Sequence, residues 1–288
     1  MCGCFNCGYY APFGAFLKQI DANLHKEYVL EKFKYENNHK WAKETTTQNT
    51  RNIIAKSPDV ALSEPLTHLK KISQLDPFHP ASAYIRNRKI PFEFHDKLYY
   101  TDNYKKWIND YIEPNKFKYV DGKPDERIVI PFLNSAGTPF AYQGRFIGDP
   151  DSNTERYITC NPVPSNLLLF GVERLDAGKP VYVVEGPLDS LFVPNCVAVA
   201  GSALTKLLKY KKLDLIFCFD NEPHSATICK IMEKVIENDK KIVIWPKTVK
   251  QKDINDMVLA GKNVLDIVQK NCYNGLTSRL KFNEWKRI

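Results

Sequence analysis

Val181-Tyr182-Val183-Val184-Glu185-Gly186-Pro187-Leu188-Asp189 runs four β-branched or aromatic residues into a carboxylate, and the Gly-Pro pair then stops the strand and opens a helix. Glu185 is thereby delivered at the carboxyl end of a strand, where ligands sit in open α/β sheets. Downstream, Leu215-Ile216-Phe217-Cys218-Phe219 ends in Asp220-Asn221-Glu222, with Pro223 at a first helical position. In an extended segment Asp220 and Glu222 point the same way. A third run, Lys241 to Pro246, leads to Lys252-Asp253-Ile254-Asn255-Asp256. Val197 to Ala200 adds a strand, Ala203 to Lys212 a helix, and Ser225 to Asp239 a helix with Ile228, Ile231, Met232, Val235 and Ile236 on one stripe. Four strands with intervening helices predict an α/β fold with a parallel sheet covered on both faces.

Three strand ends thus carry Glu, Asp-x-Glu and Asp-x-x-Asp. Singly, each has an ordinary explanation: a solvated strand end for Glu185, a helix cap for Asp220 or Glu222, a loop ion pair for Lys252 and Asp253. Together, Glu185, Asp220, Glu222, Asp253 and Asp256 would repel one another unless a divalent cation sat among them.

The remaining composition fits such a site. The chain has 288 residues, 43% of them hydrophobic, enough for one large or two medium domains with real cores. Its 41 Lys and Arg against 33 Asp and Glu give a formal charge of +8, which favours a polyanionic partner. No run reaches the length of a membrane span and the start lacks a signal-peptide core, so a soluble, cytoplasmic protein is expected, in the host cytoplasm if viral. Cys160, Cys196, Cys218, Cys229 and Cys272 read as reduced, packed thiols.

The chain opens Met1-Cys2-Gly3-Cys4-Phe5-Asn6-Cys7-Gly8. Cys4-x-x-Cys7 followed by Gly is the knuckle that presents two thiolates to zinc, with Cys2 a third candidate. It reads as the second half of a zinc ribbon whose first half this chain lacks; the alternative is a cysteine-rich start without metal. Residues 11–34 have helical spacing, and a polar stretch through residues 35–60 reads as a linker. Leu66, Leu69, Ile72 and Leu75 predict a helix ended by Asp76-Pro77-Phe78-His79-Pro80, with His79 a turn residue, and a second helix follows through Ala81, Tyr84 and Ile85. Arg127 to Phe132 and Thr138 to Ile147 predict a β-hairpin turning at Asn134 to Gly137. Alternation places Ile128, Ile130 and Phe132 with Phe140, Tyr142 and Phe146 on a buried face, leaving Arg127, Gln143 and Arg145 on the other. With Arg156 from the next strand, these form either a solvated face or a phosphate-gripping surface. From Leu259 onward a basic helical tail is expected.

In this order the motifs resemble DNA primases of the small T-even phage type, with a TOPRIM catalytic domain. Glu185-Gly186-Pro187-x-Asp189 and Asp220-Asn221-Glu222 are similar to the TOPRIM signature, and Lys252-Asp253-Ile254-Asn255-Asp256 to the element that primases add. The Arg127 hairpin is similar to the basic subdomain preceding TOPRIM, and Cys4 to Gly8 to the end of a zinc ribbon. The resemblance implies a partial ribbon and helix at 1–34, a linker at 35–60, a basic antiparallel-sheet subdomain at 61–165 and a four-stranded TOPRIM domain with a helical tail at 166–288. It also implies synthesis of short RNA primers on single-stranded DNA from ribonucleoside triphosphates, alongside a separate hexameric helicase. Mg²⁺ or Mn²⁺ would be held by Asp220, Glu222 and Asp253 with Asp256 assisting, and Glu185 would bind metal or act as base. Arg127, Arg145, Arg156, Gln143 and Lys252 would hold nucleotide or template. Family members carry four cysteine ligands, and only the last pair is found here beside Cys2. The competing readings are a TOPRIM nuclease, or a non-catalytic adaptor binding single-stranded DNA and the helicase.

Overall fold

The structure is a computed structural model that describes residues 64–288 apart from 120–121, 149, 153, 163–166, 201–202 and 210–212, together with a few positions before residue 64. Residues 1–55 and 56–288 form separate units. In the first, β1 (Cys2–Gly3) pairs antiparallel with β2 (Tyr10–Ala11), and positions 23, 25, 26, 28 and 29 are helical. Cys4, Cys7 and the side chain of Cys2, the proposed zinc ligands, lie outside the described residues, as does the linker.

Among its described residues the second unit holds two sheets. The five-stranded antiparallel sheet runs β3 (Lys70–Lys71), β4 (Tyr99–Thr101), β5 (Arg127–Leu133), β6 (Pro139–Phe146) and β7 (Tyr157–Cys160) in chain order. The predicted helix through Leu66 and Ile72 is absent. Two 3₁₀ turns, Glu64–His68 and Ile72–Gln74, flank β3 instead, and Leu66 and Ile72 are buried in different cores. Pairing of Lys70 and Lys71 with Tyr100 and Tyr99 breaks the helical repeat and sends the two apolar residues to opposite faces. The next helix forms as expected: α1 (Pro80–Asn87) has Pro80 at its first position, and the His79 ring accepts from the Ala81 N–H at 3.2 Å.

The β5–β6 hairpin turns at Asn134, whose Oδ1 accepts from the Ala136 and Thr138 amides. Its register corrects the facial assignment. Arg127 lies opposite Phe146, Ile128 opposite Arg145 and Ile130 opposite Gln143. Cross-strand partners share a face, so Gln143 and Arg145 side with Ile128 and Ile130 while Arg127 sides with Val129 and Tyr142. Neither face is solvated. The Val129 face packs under α2 (Tyr104–Tyr111), which buries Tyr104, Trp107 and Ile108, and the Ile128 face joins the main core.

The six-stranded sheet has the order β13-β12-β11-β9-β10-β8, from β8 (Leu169–Phe170), β9 (Val181–Val184), β10 (Cys196–Val199), β11 (Leu215–Phe217), β12 (Lys241–Val243) and β13 (Cys272–Tyr273). The four central strands are parallel, as predicted, and the two-residue edges are antiparallel additions. All four residues of β9 are buried, which explains its unbroken β-branched run. Gly186-Pro187 opens only a 3₁₀ turn, Asp189–Phe192. α3 (Ala203–Leu208) follows β10, and α4 (Ala226–Glu237) is capped by the Ser225 hydroxyl, so Pro223 precedes the helix rather than starting it. α5 (Ile254–Leu259) is capped by Asp253. The expected basic tail is instead structural: α6 (Val264–Lys270), β13 and α7 (Gly275–Trp285) place Val264, Val268, Phe282 and Trp285 in the core. That core is continuous with the antiparallel sheet, where Phe132 meets Phe170 with ring centres 5.9 Å apart. Cys160, Cys196, Cys218 and Cys229 are free and buried, and Cys272 is free and half-buried.

Candidate active site

β9, β11 and β12 are neighbours in the sheet, so their carboxyl ends, at Val184, Phe217 and Val243, open side by side. Glu185 leaves β9 half-buried, and its Oε1 accepts from the Asp220 N–H at 3.5 Å. Asp189 turns back over the strand end. Its Oδ1 accepts the Asn255 N–H at 3.0 Å, and a Cβ on Gly186 would stand 2.2 Å from its Oδ2, so a side chain there would displace the carboxylate from this position. Asp189 thus joins the candidate site; the sequence places it in the signature stretch, four residues after Glu185, without assigning it a role.

Asp220-Asn221-Glu222 is a tight turn rather than an extended segment, because the Glu222 N–H donates to the Asp220 carbonyl at 2.9 Å. Lys252 pairs with Glu222 at 3.0 Å, not with its neighbour Asp253. Asp253 accepts the Asp256 N–H at 2.7 Å as the cap of α5, and Asp256 is exposed beside it.

Burial, with help from Glu222, pushes the Glu185 carboxyl above the ordinary carboxylate range. Burial pushes Asp220 up to about 7, and Glu185, Asp189, Asp253 and Glu222 add to that by repulsion. Asp189 is raised to about 7 by burial and then by Asp253 and Asp256. Lys252 is held above its usual value by its bond to Glu222. Among the described residues no three carboxylate, histidine or cysteine side chains come together as a closed metal-ligand group. The donors facing one another are all carboxylates, a set that suits hard divalent cations, and their mutual repulsion is what such a cation relieves.

The antiparallel sheet and α1 supply a basic wall. Arg88 donates to the Asn255 Oδ1 at 3.0 Å, and the Asn255 amide returns a bond to the Arg88 carbonyl at 2.7 Å, joining α1 to α5. Arg145, 3% exposed, donates to the Tyr84 hydroxyl at 2.8 Å and lies 5.0 Å from the Tyr157 ring centre. Its Nη1 is buried without a partner among the described residues, as is the Gln143 Oε1. Arg156 is exposed and close enough to Lys252 to act on its charge. Arg127 lies apart on the other face, 1% exposed, bonded to Asp125 at 2.8 Å and to the carbonyls of Gly144 and Glu155. The fold therefore brings Arg145 and Arg156 toward the carboxylates and gives Arg127 a buried pair.

A parallel four-stranded sheet with acidic strand ends, preceded by an antiparallel basic sheet, is similar in fold to the TOPRIM-containing catalytic cores of primases. Solved structures share this fold. The Aquifex aeolicus primase (zinc-binding and RNA polymerase domains) aligns over 97% of this chain and 75% of its own, with TM-score 0.58 and 18% identity. A DnaG primase catalytic domain bound to ssDNA aligns over 78% of this chain and 81% of its own, with TM-score 0.55 and 17% identity. In sequence, the chain is 29% identical to the DNA primase of Enterobacteria phage T4 across 99% of its own length and 81% of that protein. These likenesses support a phage-type DNA primase. No protein-family model matches the chain.

Proposed function

We propose that this chain is a DNA primase that synthesises short RNA primers on single-stranded DNA by nucleotidyl transfer. The observation that carries the reading is the convergence of Glu185, Asp189, Asp220, Glu222 and Asp253 at neighbouring strand ends, opposite Arg88, Arg145 and Arg156. A bound pair of Mg²⁺ or Mn²⁺ ions would stabilise attacking and leaving oxygens as a 3′-hydroxyl displaces pyrophosphate from the α-phosphate. Asp189, Asp220, Glu222 and Asp253 would hold them. Glu185, whose carboxyl is held above the ordinary range by burial, would either join them or accept the proton of the attacking hydroxyl. Arg156, exposed at the rim, would offer its guanidinium to triphosphate or template phosphates, and Arg145, buried behind it with Gln143, would add positive charge from beneath. Lys252, tied to Glu222, orients that carboxylate and adds positive charge at the rim.

Around this catalytic unit we further propose Zn²⁺ on Cys4 and Cys7 with Cys2 as a third ligand, and a separate hexameric helicase as partner. Among the described residues no helix is long and apolar enough to cross a membrane. The deciding experiment is primer synthesis on mixed-sequence single-stranded DNA with labelled ribonucleotides and Mg²⁺, with and without a pre-made dinucleotide. Short RNA products are expected, reduced about 100-fold or more in Asp220→Ala. Products only with the dinucleotide would place a defect in initiation. Template cleavage without RNA would favour a nuclease, and DNA binding without reaction an adaptor.

A further inference from the structure

Asn221 stands between two carboxylates of the proposed site, yet its side chain is wholly engaged on the protein side. Its Nδ2 donates to the carbonyls of Val249 at 3.1 Å and Gln251 at 3.0 Å, and its Oδ1 accepts the Trp285 indole N–H at 2.9 Å. Its backbone N–H donates to the Lys252 carbonyl at 2.6 Å. These four bonds join three separate pieces: the turn that carries Asp220 and Glu222, the loop that delivers Lys252 and Asp253, and the last helix, α7. Two further contacts extend the seam, with the Arg287 N–H donating to the Pro223 carbonyl at 2.8 Å and the His224 Nδ1 lying 3.2 Å from the Arg287 carbonyl.

Packing covers this turn only in part. A surface cleft of about 170 Å³ lies beside it, lined by Asn221, Trp245, Val249 and Trp285 and rimmed by the exposed Lys247, Lys250 and Arg287. The turn must nevertheless resist a load, because like charges at neighbouring strand ends push Asp220 away from Glu185 and Asp253. Hydrogen bonds to backbone carbonyls are directional and fix a loop where loose packing would let it drift. Aspartate at position 221 would offer no donors, and glutamine would be one methylene too long.

We infer that Asn221 and Trp285 are positioning residues that set the spacing of Asp220 and Glu222 against Asp253, so that the carboxyl-terminal helix tunes cation binding at the site. The inference rests on the proposed metal-dependent reading of those carboxylates. Neither residue touches the reacting atoms; both act through the carboxylates they hold.

Trp285→Phe removes the indole donor and keeps the ring against Phe282, 6.1 Å away between centres. Asn221→Ala removes the whole tie. Phe282→Leu serves as a packing control on the same helix. Mn²⁺ affinity of the full chain, read by electron paramagnetic resonance without substrate, is the primary measurement, with primer-synthesis kcat and nucleotide KM alongside. Trp285→Phe is expected to weaken Mn²⁺ about fivefold, the effect of one lost hydrogen bond, and Asn221→Ala more. The kcat should fall in step, recover with added Mn²⁺, and leave KM unchanged, while Phe282→Leu lowers the unfolding midpoint without moving Mn²⁺ affinity. Unchanged Mn²⁺ affinity in Trp285→Phe and Asn221→Ala, or an equal change in Phe282→Leu, would overturn the inference. Absence of primer synthesis by the unsubstituted chain would count against the functional reading instead, since the affinity comparison needs no turnover.

Discussion

A Cβ on Gly144 would stand 2.7 Å from the Tyr104 ring and 2.8 Å from the Arg127 Cδ, and both neighbours are buried. Gly144→Ala is therefore expected to destabilise the protein by about 1–3 kcal/mol, measured by urea unfolding. Arg127 itself is a stability residue in this arrangement. Arg127→Ala strands Asp125 beside the buried β5 and should lower stability by about 3–5 kcal/mol, whereas a role confined to template contact would leave the unfolding midpoint in place. The sequence shows why Arg127 was grouped with Gln143 and Arg145: alternation along each strand is legible, but which residues face each other across a hairpin depends on the register set by the turn. Here the ladder shifts between Phe132 and Leu133, a detail that side-chain alternation does not encode. Glu185 and Asp220 were legible for the opposite reason, since a carboxylate just after a buried strand has only one end of the sheet to occupy. Asp189 closes the quoted signature stretch but stands five residues past β9, so its return over the strand end depends on the turn at Gly186 and was not legible.

Elements were legible in proportion to their length and burial. The parallel strands announce themselves as β-branched runs with nothing polar inside, and α4 as a stripe at helical spacing. The antiparallel edges β8 and β13, two residues each, carry too little pattern to read. Leu66 to Leu75 mimics a helix because its apolar residues stand three apart, yet Leu66 and Leu69 serve one core before β3 and Ile72 and Leu75 the other after it. α2 is announced by Asn103, which caps its start. The Asn103 Oδ1 accepts the Lys106 N–H at 3.0 Å and its amide donates to the Lys123 carbonyl at 3.2 Å. Asn103→Ala should cost about 1 kcal/mol in chemical denaturation, and Asn103→Ser should recover most of it. Because α2 covers the outer face of the hairpin, it is also the element that turned an expected solvated surface into a second core.

At the scale of the molecule, a chain of formal charge +8 concentrates carboxylates at one end of one sheet and faces them with arginines from another. Asp189 and Asp220 are each lifted by burial and repulsion from 3.8 to about 7. Their protonated forms suit the metal-free fold, so the stability they contribute is whole below about pH 4 and is lost as pH rises through about 7. A cation bound among them should reverse that loss, since it favours the ionised forms. Asp220→Asn stays neutral at every pH and should flatten both effects. The most direct test is thermal unfolding of the metal-free chain and of Asp220→Asn, near pH 5 and near pH 8, with and without Mg²⁺. Convergence of the three strand ends into one site predicts that the unsubstituted chain loses more stability than the variant between those pH values. It also predicts that Mg²⁺ restores it near pH 8 by about 2–4 °C per kcal/mol of binding, with little effect near pH 5. Equal pH dependence in both proteins, or an equal Mg²⁺ response in the variant, would contradict it.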